Sequence, residues 1–210
     1  MMRDEAVVHV IDDDVEVGRS LAFLLAAAGI PARVHQSATA FLEVLPTVSS
    51  GCIVTDVRMP DMTGMDLLRH LLRNEIALPT IVMTGQGDVP LAVEAMRIGA
   101  HDFLEKPFDD ETLLASVRRA LNLSERKSRL AEERLSYRSR LDTLSRRERD
   151  VFQGLVDGHP NKVIAHMHGI SPRTVEIYRA NVMTKMNASS LSDLVRMAMI
   201  IRPPGENAPE

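Results

Sequence analysis

The feature that most restricts the fold is an alternation of short, mostly apolar runs with amphipathic segments across residues 1–122. The length and β-branched content of these runs are typical of buried strands, and each run is followed by apolar residues at helical spacing. Five strands that alternate with five helices predict an α/β fold with a doubly wound, five-stranded parallel sheet. The five runs are residues 6–11, 32–35, 52–55, 80–83 and 101–104.

Polar residues stand where four of these strands end. Asp12 and Asp13 follow the first strand, Asp56 the third, Thr84 the fourth and Lys106 the fifth. Because the carboxyl ends of parallel strands share one edge of a sheet, we expect these side chains to meet in one pocket. Crowded carboxylates need a cation, and Mg²⁺ accepts one or two carboxylates together with water and phosphate oxygens. Asp56 could then attack a phosphoryl donor, with Lys106 and Thr84 binding the transferred group.

Two other interpretations of these acids remain open. Asp56 could simply cap a strand or a turn, as aspartate often does. The segment Asp12-Asp13-Asp14 also fits the Asp-x-Asp nucleophile motif of haloacid-dehalogenase-type phosphatases, which would make Asp12 and Asp14 catalytic. That alternative leaves Asp56 and the second half of the chain without a role.

Charge divides the chain into two halves. The net charge of −4 combines 10 Lys and Arg against 18 Asp and Glu in residues 1–122 with 15 against 11 in residues 123–210. An acidic half followed by a basic half suggests two domains with different partners. No apolar run approaches the roughly 18 residues of a membrane span, and Cys52 has no second cysteine to pair with. We expect a soluble, cytoplasmic protein.

The second half is predicted to be all helical. Residues 123–140 are charged and lack Pro and Gly, which favours a helical connector, with a flexible linker as the alternative. Four helices follow, the first of them opened by a capping box of Ser145 and Glu148. A short helix, a turn at Gly169 and a helix over residues 171–186 form a helix-turn-helix, whose second helix enters the major groove of DNA.

The second helix of this motif supplies the candidate DNA contacts. Four of its residues lie towards one exposed face, and Glu176 among them can accept a hydrogen bond from cytosine or be merely a solvated charge. The face residues are Arg173, Glu176, Ile177 and Ala180, and the candidates for phosphate contact are Lys162, Thr174, Arg179 and Lys185.

The acidic half resembles the receiver domain of two-component response regulators. The resemblance rests on Asp12-Asp13, on residues 56–64 (Asp-Val-Arg-Met-Pro-Asp-Met-Thr-Gly), on Thr84-Gly85 and on residues 103–108 (Phe-Leu-Glu-Lys-Pro-Phe). It implies a flavodoxin-like fold and phosphorylation of the aspartate at the third strand by a sensor histidine kinase. The implied site residues are the phosphoacceptor Asp56, the Mg²⁺ ligands Asp12, Asp13, Asp56 and the Arg58 carbonyl, and the switch residues Thr84, Lys106 and Phe103.

The basic half resembles the LuxR/NarL-type DNA-binding domain. Residues 144–151, 161–165 and 171–186 carry this resemblance. Together the two resemblances imply a non-enzymatic regulator that dimerises when phosphorylated, binds promoter DNA and contacts RNA polymerase to activate transcription. A constitutive DNA-binding protein with a degenerate, ligand-sensing receiver is the remaining alternative. The expected domains are a receiver (1–122), a connector (123–140), a DNA-binding domain (141–202) and a disordered tail (203–210).

Overall fold

The computed structural model describes residues 6–85 and 89–202, and the chain forms two compact units, Met1–Ser128 and Arg129–Glu210. Asp88, which the sequence predicts as the N-cap of the helix after the fourth strand, and the expected disordered tail lie outside the described residues. No helix in the described ranges is both long and apolar enough to cross a membrane.

The first unit is the predicted doubly wound sheet. All five strands are parallel and their order is β2-β1-β3-β4-β5, which is also the order of flavodoxin and of CheY. A short 3-10 helix follows α2. The strands are β1 (Val7–Ile11), β2 (Ala32–His35), β3 (Gly51–Asp56), β4 (Thr80–Thr84) and β5 (Asp102–Glu105), and the helices are α1 (Val15–Ala27), α2 (Ala38–Val44), α3 (Gly64–Arg73), α4 (Val89–Ile98) and α5 (Asp110–Asp142).

Alternation along the central strands gives the sheet two apolar faces. On β3, Cys52 and Val54 pack with the residues that α1 and α5 bury, whereas Ile53 packs with Phe41 of α2 and Leu67 of α3. Every residue of β3 is buried, because helices cover both faces of the sheet. Burial raises the pKa of the Cys52 thiol to about 12, which makes it an unreactive part of the core.

The second unit is a cluster of helices with its own apolar core. The core includes Phe152, Ile164, Val175, Val182 and Leu194, all of them at most 5% exposed. The expected connector is helical, since residues 123–140 lie wholly inside α5. The remaining helices are α6 (Arg146–Val156), α7 (Asn161–His168), α8 (Pro172–Met186) and α9 (Leu191–Ile201).

Local capping explains where these helices begin and end. The predicted capping box is present, with the Ser145 side chain accepting from the Glu148 backbone and the Glu148 side chain accepting from the Ser145 backbone. Ser171 caps α8 by accepting a hydrogen bond from Thr174 N. Gly169 adopts the left-handed conformation, with φ 63°, at the turn between α7 and α8. With these boundaries, α7, the turn at Gly169 and α8 form the helix-turn-helix that the sequence predicts.

Candidate phosphoacceptor site and DNA-binding surface

The structure brings Asp12, Asp56 and Lys106 together at the carboxyl edge of the sheet. β1 and β3 are neighbours in register, with Ile11 opposite Thr55, so the residues that follow are adjacent. The Lys106 Nζ atom lies 2.6 Å from Asp56 Oδ1 and 3.0 Å from Asp12 Oδ2. One cation therefore contacts both buried carboxylates.

The loop after β3 holds the second oxygen of Asp56. The Arg58 backbone N–H donates to Asp56 Oδ2 at 2.6 Å, and Gly64 N donates to the Val57 carbonyl at 3.0 Å. The Asp56 side chain retains 13% exposure. The carboxylate is thus fixed in orientation and still reachable from solvent.

Burial and charge act in opposite directions on the two partners Asp12 and Lys106. Burial raises the pKa of Asp12, and the hydrogen bond from Lys106 offsets this only in part. Burial lowers the pKa of Lys106, but hydrogen bonds to Asp56 and Asp12 outweigh it, so this pKa lies above its ordinary value. Lys106 therefore stays charged, as a group that binds a phosphoryl oxygen must.

The donor set suits Mg²⁺. Asp12 and Asp56 supply two oxygen-bearing carboxylates that converge on one cation, and Mg²⁺ commonly uses one or two carboxylates with water and phosphate oxygens. Asp13 is exposed next to them. Within the described residues, no three His, Cys, Asp or Glu side chains form a metal-binding group by themselves.

Thr84 and Phe103 belong to neighbouring strands, and Phe103 packs with residues of α4. Thr84 is 1% exposed at the end of β4, and its carbonyl accepts a hydrogen bond from Lys106 N at 2.7 Å. Phe103 lies opposite Val82 in the sheet and packs against a cluster that includes Ala95 of α4.

Helix α4 exposes an apolar stripe. Val89, Val93 and Met96 are 74%, 45% and 51% exposed, and their spacing places them on one face. The sequence pattern correctly predicts a helix here, but it does not show that these residues face solvent. An exposed apolar surface of this kind is typical of a protein interface.

Most of the predicted DNA contacts lie on an accessible surface. Ile177 is 57% exposed, whereas Thr174 and Arg179 are partly buried. Arg179 lines a recess between helices that Lys162 and His159 also line. The exposed members of the predicted set are Lys162, Arg173, Glu176, Ile177, Ala180 and Lys185.

Lys185 differs from the other predicted phosphate contacts because its ammonium group is already paired. Lys185 Nζ lies 2.6 Å from Oε2 of the buried Glu148. The hydrogen bond from Lys185, followed by that from Ser145 N, lowers the pKa of Glu148 to about 2. A DNA phosphate would have to compete with this carboxylate for Lys185.

Known families match both units. Residues 8–118 match the response regulator receiver domain, and residues 142–198 match the luxR family of bacterial regulatory proteins. The chain is 54% identical over 199 residues to the transcriptional regulatory protein FixJ of Azorhizobium caulinodans, covering 95% of this chain and 94% of that one. It is 52% identical to FixJ of Rhizobium meliloti, covering 91% and 94%. This chain belongs to the FixJ-like response regulators.

Two solved structures of response regulators match nearly the whole of this chain. The response regulator StyR is 36% identical, with a TM-score of 0.81 over 92% of this chain and 98% of that one. Full-length FixJ from B. japonicum is 49% identical, with a TM-score of 0.58 over 94% and 97%. A receiver unit and a LuxR-type DNA-binding unit imply a cognate kinase and DNA as partners.

The family assignment does not support the phosphatase alternative. The local geometry of Asp14 also argues against it. The Asp14 side chain accepts hydrogen bonds from Glu16 N and Val17 N, so it caps α1. The Asp14 backbone N–H donates to Asp12 Oδ1 at 3.0 Å. The second acid of the supposed Asp-x-Asp motif is thus a helix cap.

Sequence reasoning missed residues of α5 that contact the DNA-binding helices. Arg140 donates to the Met186 carbonyl at 3.1 Å, and Arg134 donates to the Ile201 carbonyl at 3.3 Å. The buried Tyr137 packs in the core of the second unit. The aromatic ring of Tyr137 within a charged segment was one available signal.

Proposed function

We propose that this chain is a phosphorylation-controlled transcription activator that accepts a phosphoryl group on Asp56 from a sensor histidine kinase. The observation that carries the proposal is the contact of Lys106 Nζ with both Asp56 Oδ1 and Asp12 Oδ2. A structural ion pair needs one carboxylate, whereas a phosphoryl-transfer site needs a nucleophile, a metal ligand and a cation together.

Asp56 is the nucleophile in this proposal. One of its carboxylate oxygens forms a bond to phosphorus, and the leaving group departs with the electrons of the bond that breaks. Asp12, Asp13, Asp56 and the Arg58 carbonyl would hold Mg²⁺, which would neutralise negative charge at the site when bound. Lys106 exchanges its contact with Asp56 for one with the incoming phosphoryl oxygens.

The phosphorylated state is transmitted through Thr84. Its hydroxyl binds the phosphoryl group, its carbonyl already accepts from Lys106 N, and Phe103 repacks beside it. The repacking changes the surface of α4 and β5, where Val89, Val93 and Met96 are exposed. Two copies associate through this surface as a homodimer with two-fold symmetry.

The dimer binds a roughly palindromic promoter site, because each subunit presents one helix-turn-helix. Arg173, Glu176, Ile177 and Ala180 contact base edges, while Lys162, Thr174 and Arg179 contact phosphates. The bound dimer contacts RNA polymerase and activates transcription. Similarity to FixJ extends the proposal to nitrogen-fixation genes.

The remaining assignments follow from the same similarity. The kinase is FixL-like, that is, similar to the haem-based oxygen-sensing kinase which resemblance to FixJ implies. The protein acts in the cytoplasm and is not an enzyme, apart from slow loss of its own phosphoryl group. Its functional segments are the receiver at 1–122, the connector at 123–140, the DNA-binding domain at 141–202 and a tail at 203–210.

Phosphorylation with a small donor tests the proposal. After incubation with acetyl phosphate and Mg²⁺, intact mass is expected to show one added phosphoryl group on the wild type and none on Asp56→Asn. Asp61→Asn is the matched control, since Asp61 is an exposed acid of the same loop that hydrogen-bonds Thr39 instead. Phosphoryl gain by Asp56→Asn, or none by the wild type, would refute the assignment. Equal DNA affinity with and without phosphorylation would favour a constitutive DNA-binding protein.

A further inference from the structure

The C-terminal end of α8 is bound to a residue outside the predicted DNA-binding segment. The last carbonyls of a helix have no partner within the helix. At this end Asn187 is left-handed, with φ 54°, and its N–H donates to Met183 O and Thr184 O. The Met186 carbonyl instead accepts from Arg140 Nη1 at 3.1 Å, 46 residues earlier in the chain. A cation at a helix C-terminus is also favoured by the helix dipole.

A contact with Tyr137 on its own helix holds the Arg140 side chain in place. Arg140 is half-buried, and its guanidinium lies 5.7 Å from the ring centroid of Tyr137, one turn back on the same helix. Tyr137 is 9% exposed and belongs to the core of the second unit. Thr143 Oγ1 donates to the Arg140 carbonyl at 2.7 Å, which fixes the backbone there. Arg140 thus joins α8 to a rigid part of the unit.

A second contact restrains the same end of α8. Lys185 Nζ donates to Glu148 Oε2 at 2.6 Å and to the Thr143 carbonyl at 3.4 Å. Glu148 is 4% exposed and also forms the capping box of α6. Removing Lys185 would leave this buried carboxylate without its cation, so the ammonium group is needed inside the unit.

We propose that Arg140 and Lys185 are positioning residues that hold the C-terminal end of α8 and thereby set the orientation in which α8 meets DNA. This rests on the proposed function, in which α8 contacts base edges. The 15 residues of α8 span about 22 Å, so a small tilt at one end displaces Arg173 at the other by several ångströms. In this proposal neither cation contacts a DNA phosphate, which for Lys185 replaces the phosphate contact predicted from the sequence.

The salt dependence of DNA binding distinguishes a positioning role from direct phosphate contact by Arg140 or Lys185. A side chain that binds a phosphate contributes about one unit to the slope of log affinity against log salt, on any sequence. A positioning residue leaves that slope unchanged. Its loss weakens only the sequence-specific contacts that depend on the orientation of α8.

The experiment uses the phosphorylated full-length protein and two duplexes. One duplex is selected from a random pool by the wild type, and the other is its scrambled counterpart. The test variants are Arg140→Met and Lys185→Met, and Arg140→Lys retains a cation at the first position. Arg138→Met is the matched control, since Arg138 is exposed on the same helix and its loss removes the same charge.

Arg140→Met is expected to bind the selected duplex about fivefold more weakly, on the scale of the net contribution of one typical hydrogen bond. Its affinity for the scrambled duplex and its salt slope are expected to match those of Arg138→Met, with Arg140→Lys close to the wild type. Equal losses on both duplexes with a slope reduced by about one would overturn the proposal, as would undiminished specific affinity.

Folding and function are controlled separately. Both tyrosines of the chain, Tyr137 and Tyr178, pack in the second unit and there is no Trp, so tyrosine fluorescence reports the urea unfolding of that unit alone. Should Arg140→Met unfold, Lys185→Met carries the same comparison. A wild type that selects no duplex refutes the proposed function itself, whereas a selected duplex that every variant binds equally refutes only the positioning role.

Discussion

At the residue scale, the proposed phosphoacceptor site has one lysine shared by two carboxylates. Sequence reasoning named Asp12, Asp56 and Lys106 because each follows a strand of a parallel sheet. It could not show that Lys106 Nζ contacts both acids, since that distance depends on the loop after β5. The Lys106 ammonium group therefore contacts carboxylate oxygens that a metal ion would bind.

Replacement of Lys106 is expected to change metal binding. Lys106→Met removes the cation that competes for Asp12 and Asp56, so Mg²⁺ affinity is expected to rise about tenfold. Without Mg²⁺ the variant is expected to unfold more easily, because two buried carboxylates lose their partner. Mg²⁺ titration by calorimetry measures the first effect, with Lys127→Met as the exposed control. Weaker Mg²⁺ binding by Lys106→Met would contradict this account.

The Glu148–Lys185 pair predicts a pH dependence in the second unit. The pKa of Glu148 falls from 4.5 to about 2 on folding, so the ionised carboxylate stabilises the folded state above pH 4.5. This contribution is lost as the pH falls from 4.5 towards 2. Glu148→Gln is expected to lower the free energy of unfolding by about 2 kcal/mol at neutral pH, with the deficit vanishing in that range.

Urea unfolding followed by tyrosine fluorescence measures this deficit across the pH range. Glu132→Gln provides the comparison, because Glu132 is exposed on α5 and its charge is removed in the same way. A deficit that stays constant from neutral pH to pH 2 would show that Glu148 stabilises the unit through packing rather than charge.

At the scale of elements, sequence patterns predict where helices and strands form better than which way they face. Ser145 caps α6 as expected, and Ser171 caps α8 in a similar way, because capping depends on residues three positions apart. The spacing of Val89, Val93 and Met96 predicts α4 but not the exposure of these residues. A period of 3.6 identifies one apolar face, and only the packed structure shows whether that face is covered.

Gly64 shows a constraint between elements that spacing does not reveal. It is the first residue of α3, and a Cβ atom there would lie closer than 3.0 Å to the Asp56 carbonyl oxygen. Gly64→Ala is therefore expected to displace the start of α3 or the end of β3, lowering the free energy of unfolding by about 2 kcal/mol. It is also expected to slow phosphorylation by acetyl phosphate.

Circular dichroism in urea and intact-mass kinetics test both effects of Gly64→Ala. The comparison variant is Gly85→Ala, because among the described residues, its chain neighbours apart, no atom lies within 4 Å of a Cβ atom at Gly85. Equal stability and equal phosphorylation rates for the two variants would remove this close approach from the account of the site.

At the scale of the whole molecule, charge and motif order already separate an acidic phosphoacceptor half from a basic DNA-binding half. Contacts of α5 side chains with the later helices were not predictable, because no local pattern specifies them. The Arg140 contact with Met186 is the clearest case, since the composition of residues 123–140 predicted only a helical connector or a flexible linker. The structure instead makes the last turns of α5 part of the second unit.

The most direct test of phosphorylation control is molar mass by light scattering, with DNA affinity measured on the same samples. Wild type, Asp56→Asn and the control Asp61→Asn are compared with and without acetyl phosphate and Mg²⁺. We predict that wild type and Asp61→Asn change from monomer to dimer and gain affinity for the selected duplex, whereas Asp56→Asn does neither. The account is contradicted if the wild type, with its phosphoryl group confirmed by mass, changes in neither molar mass nor DNA affinity.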